Sequence, residues 1–294
     1  MAMNPASDNA SWCAIELSPH AGRGWAARGW AMQGDTMKAT HQIESLSARP
    51  GIAVAKELVQ ALCPGVPAVI CGLAEGPEPI AVPAKPASIL PVPLEQMQAH
   101  ALPGLRQDTP PGLMRAGAVR VAGFLALNPG WDGVICLPGP VTHWVQISAD
   151  EVVSFLSALT GEIATALATA SSLRPALEGD GWDSTEFSAA LDSVLSRPER
   201  LATGLATIQT GAELGTLRPG QARAQLFGLL TGAELAAARP YWLGQQVALI
   251  GTETEARPYA EALQRQGVPT TIANEARMTL AGLTAAWRRI KHTG

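Results

Sequence analysis

At 294 residues, with 47% hydrophobic and 16% charged side chains, the chain is long and apolar enough to bury one or two ordinary cores. Its net charge of −4 excludes a broadly cationic face for nucleic acid, and no run reaches the roughly 20 apolar residues of a membrane-crossing helix. Cys13, Cys63, Cys71 and Cys136 form no Cys-x-x-Cys pair and read as buried thiols, and no histidine has a helical ligand partner, which argues against zinc hydrolysis.

The segment Met1–Ser11 is polar and lacks an apolar signal core, so a cytoplasmic location is expected. Trp12–Leu17 reads as a strand ended by Ser18-Pro19-His20-Ala21-Gly22. A second strand follows over Gly24–Met32, then a turn at Gln33-Gly34-Asp35 and a third strand over Ala39–Leu46. Ile52, Val54, Ala55, Leu58, Val59 and Leu62 fall on one helical face of Gly51–Cys63, and Val66–Leu73 is a short apolar strand. The proline-rich stretch Pro77–Pro93 reads as a packed loop, because Ile80, Val82, Ile89, Leu90 and Val92 are costly to leave in water. A helix is expected over Leu113–Leu127.

The pattern then restarts. Gly133–Pro138 reads as a strand, Gly139-Pro140 as a tight turn and His143–Ile147 as a strand, with a third short strand from Asp150. Helices are expected over Thr160–Ser171, Ser184–Leu195, Arg218–Ala238, Arg257–Gln266 and Glu275–Lys291, with strands at Gln246–Gly251 and Thr270–Ala273. The repeat of hairpin-then-α/β predicts two similar domains, 11–127 and 128–294, facing across a cleft. Arg288, Arg289, Lys291 and His292 read either as a local basic patch or, more simply, as solvated cations complementing the dipole of the last helix.

Several segments in fixed order carry a family resemblance. In the second half they are Leu137-Pro138-Gly139 with Trp144-Val145, Leu159-Thr160-Gly161-Glu162, Gly228-Leu229-Leu230 with Gly232-Ala233-Glu234, and Gly251-Thr252 before Arg257 and Tyr259. In the first half they are Ala14-Ile15, Arg23, Trp25, Met114-Arg115 and Gly123. Over nearly its whole length the chain resembles the 2-dehydro-3-deoxygalactonokinases. The resemblance implies a two-domain actin/hexokinase-like, ribonuclease H-like α/β fold with ATP in the interdomain cleft. It also implies a magnesium ion, a 2-keto-3-deoxy sugar acid phosphorylated at its terminal hydroxyl, and catalysis by positioning and charge neutralisation. On this basis Glu16 is the metal-holding and catalytic acid, Arg115 is catalytic and Arg23 binds substrate. Gly139, Thr142, His143, Thr160, Gly161, Glu162, Gly232, Gly251 and Thr252 take the nucleotide and its phosphates. The partners are then a nucleotide and a sugar acid, with no nucleic acid or membrane and with a homodimer left open.

The residues depart from the family pattern at three places. Where the family has Asp-Trp-Gly and small hydroxyl residues, this chain has Glu16-Leu17-Ser18-Pro19-His20, with a longer acid, no glycine and one N–H fewer. After Met114-Arg115 the family continues with Gly, two glutamates, Thr and Gln. Here stand Ala116-Gly117-Ala118-Val119-Arg120, which also suit a plain packed helix. The family's Pro-Gly-Thr-His-x-Lys-Trp becomes Pro138-Gly139-Pro140-Val141-Thr142-His143-Trp144, where Thr142 and His143 are either anion contacts or ordinary turn residues. Glu162 and Glu234 either serve the site or cap and solvate their helices. Trp25, Trp30, Trp144 and Trp182 offer a sugar-stacking wall or, more commonly, core.

Two readings stay open: an active ATP-dependent sugar-acid kinase, and a non-catalytic protein of the same scaffold that binds a nucleotide, a sugar acid or a partner. No Gly-x-Ser-x-Gly elbow, Gly-x-Gly-x-x-Gly turn or Gly-Lys-Thr/Ser loop supports a hydrolase, dehydrogenase or Walker-type NTPase.

Overall fold

The computed structural model describes residues 10–20, 24–45 and 49–293. Met1–Asn9, Ala21, Gly22, Arg23 and Leu46 lie outside the described residues.

Trp12-Cys-Ala-Ile-Glu-Leu is buried on both faces, and the two-residue strand period divides it between them. β1 (Trp12–His20) pairs antiparallel with β2 (Gly24–Gln33), which pairs antiparallel with β3 (Thr36–Ser45) across the turn at Gly34 and Asp35. Ser18, Pro19 and His20, expected to turn, instead continue β1 opposite Ala26, Trp25 and Gly24. The parallel partner β4 (Ala68–Cys71) reaches only Cys13–Glu16, so Pro19 lies where the strand has one neighbour, a setting that tolerates proline.

Cys13, Ile15 and Leu17 pack with Val54, Ala55, Leu58 and Leu62 of α1 (Gly51–Leu62). Trp12, Ala14 and Glu16 therefore point to the opposite face. Short strands follow: β5 (Ile80–Ala81), β6 (Val92–Leu94), β7 (Ala99–Ala101), β8 (Leu105–Gln107) and β9 (Gly112–Met114). The first sheet runs β3-β2-β1-β4-β7-β6, and β5, β8 and β9 form a small separate sheet. In the proline-rich stretch only Ile89 of the five apolar residues is buried. Ile80, Leu90 and Val92 are exposed, because ladder bonds to β8 and β7 anchor this segment by its backbone. The helix expected from Leu113 starts at Ala116, since Leu113 and Met114 belong to β9; α2 spans Ala116–Leu127.

The second sheet uses β10 (Gly133–Leu137), β11 (Thr142–Ser148), β12 (Glu151–Ala158), β13 (Val247–Gly251) and β14 (Thr270–Asn274) in the order β12-β11-β10-β13-β14. β10 and β13 are parallel. The order third, second, first, fourth thus occurs in both sheets. Helices α3 (Thr160–Ala170), α4 (Ser184–Leu195), α5 (Leu201–Glu213), α6 (Pro219–Ala237), α7 (Arg239–Trp242) and α8 (Glu253–Arg265) complete this half, and α9 (Glu275–Thr293) ends the chain. The residues form two compact units. The first holds the described residues up to Asp132, Ile147–Phe155 and those from Ala273 onward, and the second holds Gly133–Gln146 and Leu156–Ile272.

In the first unit α9 lies against α2, β1 and β4. The two helices approach closely at paired glycines: a Cβ on Gly123 would meet the Met278 carbonyl at 1.9 Å, and one on Gly282 would meet the Val119 carbonyl at 2.3 Å. Trp287 of α9 stacks on Trp12 with ring centroids 5.1 Å apart.

Candidate functional site

β1 delivers Glu16 to the sheet face covered by α2 and α9, and the residue is 4% exposed. Its Oε1 accepts three hydrogen bonds: from Arg120 Nε at 2.9 Å, Arg120 Nη2 at 2.8 Å and Thr279 Oγ1 at 3.1 Å. Arg120 Nη1 is also 3.3 Å from Glu275 Oε2, and Glu275 Oε1 lies 3.3 Å from Arg28 Nη1. Two cations and two carboxylates from β1, β2, α2 and α9 therefore neutralise one another. Burial works to lower the Arg120 pKa, but the Glu16 and Glu275 carboxylates outweigh it and push the guanidinium up, so it stays charged. Burial, with Glu16 beside it, likewise raises the neighbouring Cys71 thiol.

Arg115 sits at the start of α2, where its Nη1 lies 3.5 Å from the Leu73 carbonyl and 3.4 Å from that of Ala74. Among the described residues it forms no ion pair. Its hydrogen-bond partners are two backbone carbonyls, whereas those of Arg120 are carboxylates. Arg23 lies outside the described residues.

In the second unit the turn after β10 and the start of α3 are built against each other. Glu162 N donates to the Pro140 carbonyl at 2.9 Å, and a Cβ on Gly161 would stand 2.2 Å from the Gly139 carbonyl. Glycine at 161 is what allows that contact. Over Gly139 itself the backbone is open, since a Cβ there would meet nothing nearer than the Val141 carbonyl at 3.6 Å. The flanking side chains are already engaged. Thr142 Oγ1 lies 2.8 Å from Tyr259 Oη, and His143 Nδ1 lies 2.8 Å from Ser157 Oγ.

Behind the turn, Glu234 is buried and receives Trp144 Nε1 at 2.7 Å and Tyr259 Oη at 2.8 Å, with Thr160 as a further side-chain partner. Burial raises its pKa, against the lowering effect of Thr160, Trp144 and Tyr259. One carboxylate thereby ties β11, α3 and α8 to α6. Gly232, expected on the nucleotide side, lies in the α4–α6 contact, where a Cβ would meet Val194 Cγ2 at 2.5 Å. Thr252 caps α8 in a reciprocal box with Glu255, and Gly251 ends β13 beside Pro138.

The sequence model of the 2-keto-3-deoxy-galactonokinases matches residues 25–286. The chain belongs to the 2-keto-3-deoxy-galactonokinase family. It is 29% identical over 241 residues to the "Probable 2-dehydro-3-deoxygalactonokinase" of Rhizobium meliloti, covering 76% of this chain and 79% of that one. It is also 29% identical over 174 residues to the 2-dehydro-3-deoxygalactonokinase of Escherichia coli, covering 58% of each. A crystal structure from Sinorhizobium meliloti assigned as a 2-dehydro-3-deoxygalactonokinase superposes with a TM-score of 0.82 at 26% identity, over 95% of this chain and 96% of the other. The activator of 2-hydroxyisocaproyl-CoA dehydratase from Clostridium difficile, with bound ADPNP, shares the fold alone, at a TM-score of 0.52 and 10% identity over 96% of each chain. The fold is thus the two-domain actin/hexokinase-like kinase fold. No helix among the described residues is long and apolar enough to cross a membrane.

Family membership implies ATP with a magnesium ion, and the two groups fit these residues differently. The open backbone over Gly139 leaves space for a phosphate, although Pro140 beside it has no N–H to offer one. Glu16 does not suit a divalent ion: its Oε1 is occupied by three donors and a fixed cation stands beside it. Among the described residues no three His, Cys, Asp or Glu side chains are grouped to hold a metal. Sequence reasoning overlooked Arg120, Glu275, Thr279 and Arg28. The usable signal was Glu16 itself, because a carboxylate inside a strand covered on both faces requires a cation or several donors.

Proposed function

We propose that this 2-keto-3-deoxy-galactonokinase family member binds ATP and a 2-keto-3-deoxy sugar acid but transfers the phosphoryl group slowly or not at all. In the family reaction the γ-phosphoryl group passes from ATP to the terminal hydroxyl of the sugar acid, ADP leaves, and that hydroxyl's proton must find a base. The observation that supports the proposal is the engagement of Glu16 Oε1 by Arg120 and Thr279, which sets the one acid of the first hairpin against a fixed cation rather than leaving that oxygen open to a metal or a proton. Arg115, which has no ion pair among the described residues, is the cation we assign to the sugar acid carboxylate.

A coupled ADP-release assay with 2-dehydro-3-deoxygalactonate, beside calorimetry with the same compound and ATP, tests this. Binding without ADP release is expected. Turnover at an ordinary kinase rate of roughly 1–100 per second would end the proposal. It would favour the second reading, a fully active kinase, which the family match over residues 25–286 supports.

A further inference from the structure

We infer that the first unit carries its own cation: the Arg120 guanidinium fills the electrostatic role of a divalent ion beside Glu16, so Glu16 neither binds nor needs one. The inference rests on the geometry of four side chains and stands whether or not the protein proves active.

Arg120 gives two nitrogens to one Glu16 oxygen and turns its third to Glu275, whose other oxygen meets Arg28. The side chains of Glu16, Glu275, Arg120 and Arg28 are only 5%, 11%, 14% and 24% exposed, so little water is left to screen or replace these bonds. Their formal charges cancel. A magnesium ion needs several open oxygens at roughly 2.0–2.1 Å in near-octahedral array. To reach Oε1 of Glu16 it would have to expel a guanidinium that also holds Glu275, and so strand buried charges. An ion diffuses away when the solution is depleted of it, whereas this cation is covalently part of α2. The same guanidinium joins β1 to the first residue of α9, so the substitute cation also secures the end of the chain.

Mn²⁺ titration of the full-length protein, read by the loss of the free-ion paramagnetic resonance signal and by Tm, tests the inference. For the wild-type protein no Mn²⁺ uptake that depends on Glu16 is expected, and Tm should be the same in EDTA and in millimolar Mg²⁺. Arg120→Gln leaves Glu16 and Glu275 without their shared cation, so a lower Tm is expected, partly restored by Mn²⁺ with measurable uptake. Arg120→Lys keeps one positive charge and should take up no Mn²⁺. Wild-type uptake that disappears in Glu16→Gln would overturn the inference, as would a folded Arg120→Gln protein indifferent to Mn²⁺. Should Arg120→Gln fail to fold, the comparison of wild type with Glu16→Gln decides alone.

Discussion

Glu16 and Glu234 are both buried acids, and their surroundings treat the charge in opposite ways. Glu16 meets a guanidinium, whereas Glu234 meets only neutral donors, and burial leaves its pKa raised. The sign of the pH effect follows. Between the ordinary glutamate pKa and the raised native one, the folded protein holds more protons on this group than the unfolded chain does. Its contribution to stability is therefore present at acid pH and lost as pH rises through that window. Glu234→Gln is expected to flatten this slope in urea unfolding measured across a pH series. Glu234→Ala should instead destabilise at all pH values, by about 1–3 kcal/mol for each of the Trp144 and Tyr259 donors left without an acceptor. The importance of Glu16 could be read from its place in an apolar strand. Its partner Arg120 could not, because the two lie 104 residues apart and only the packing of α2 on β1 brings them together.

At the scale of elements, strong periodicity was legible and weak periodicity was not. The helix expected over Ser184–Leu195 matches α4 at both ends, and the structure adds its cap, Asp183, whose carboxylate accepts from Thr185 N and Glu186 N. α5 was missed. Its sequence mixes Gly204, Gly211 and three threonines with few large apolar residues, and only Ile208 is fully buried, so tertiary packing rather than propensity makes it a helix. Strands of three residues such as β7, β8 and β9 carry no period to read. The α2–α9 crossing yields a sharper expectation. Gly123→Ala places a methyl group 1.9 Å from the Met278 carbonyl, which forces the helices apart. A loss of about 1–3 kcal/mol or more is expected in thermal or urea unfolding. An unchanged Tm would mean the helices can separate freely at that crossing.

For the whole molecule, the order of the chain differs from the order of its cores. The sequence pattern suggested one division after residue 127, yet the first unit also receives Ile147–Phe155 and the closing helix. That helix brings Glu275 and Thr279 to the Glu16 network, buried Met278, Leu283 and Ala286, and Trp287 stacked on Trp12. Burying large apolar side chains contributes about 1.5–3 kcal/mol each, so α9 supplies several kcal/mol to a unit whose total stability is on the order of 5–15 kcal/mol. Unless α9 is present, Trp12, Ala14 and Glu16 lose much of the cover on one face of β1, and Arg120 loses one of its two carboxylates. A chain ending at Asn274 should therefore lose the near-ultraviolet dichroism of the first unit and become open to proteolysis within residues 12–127. A fragment of residues 1–132 should fail to fold alone. Adding residues 273–294 to that fragment through a flexible linker should recover part of the lost structure, because it returns the missing face and the missing charge together. A fragment of residues 1–132 that folds cooperatively by itself would show that the closing helix decorates the first unit rather than completing it.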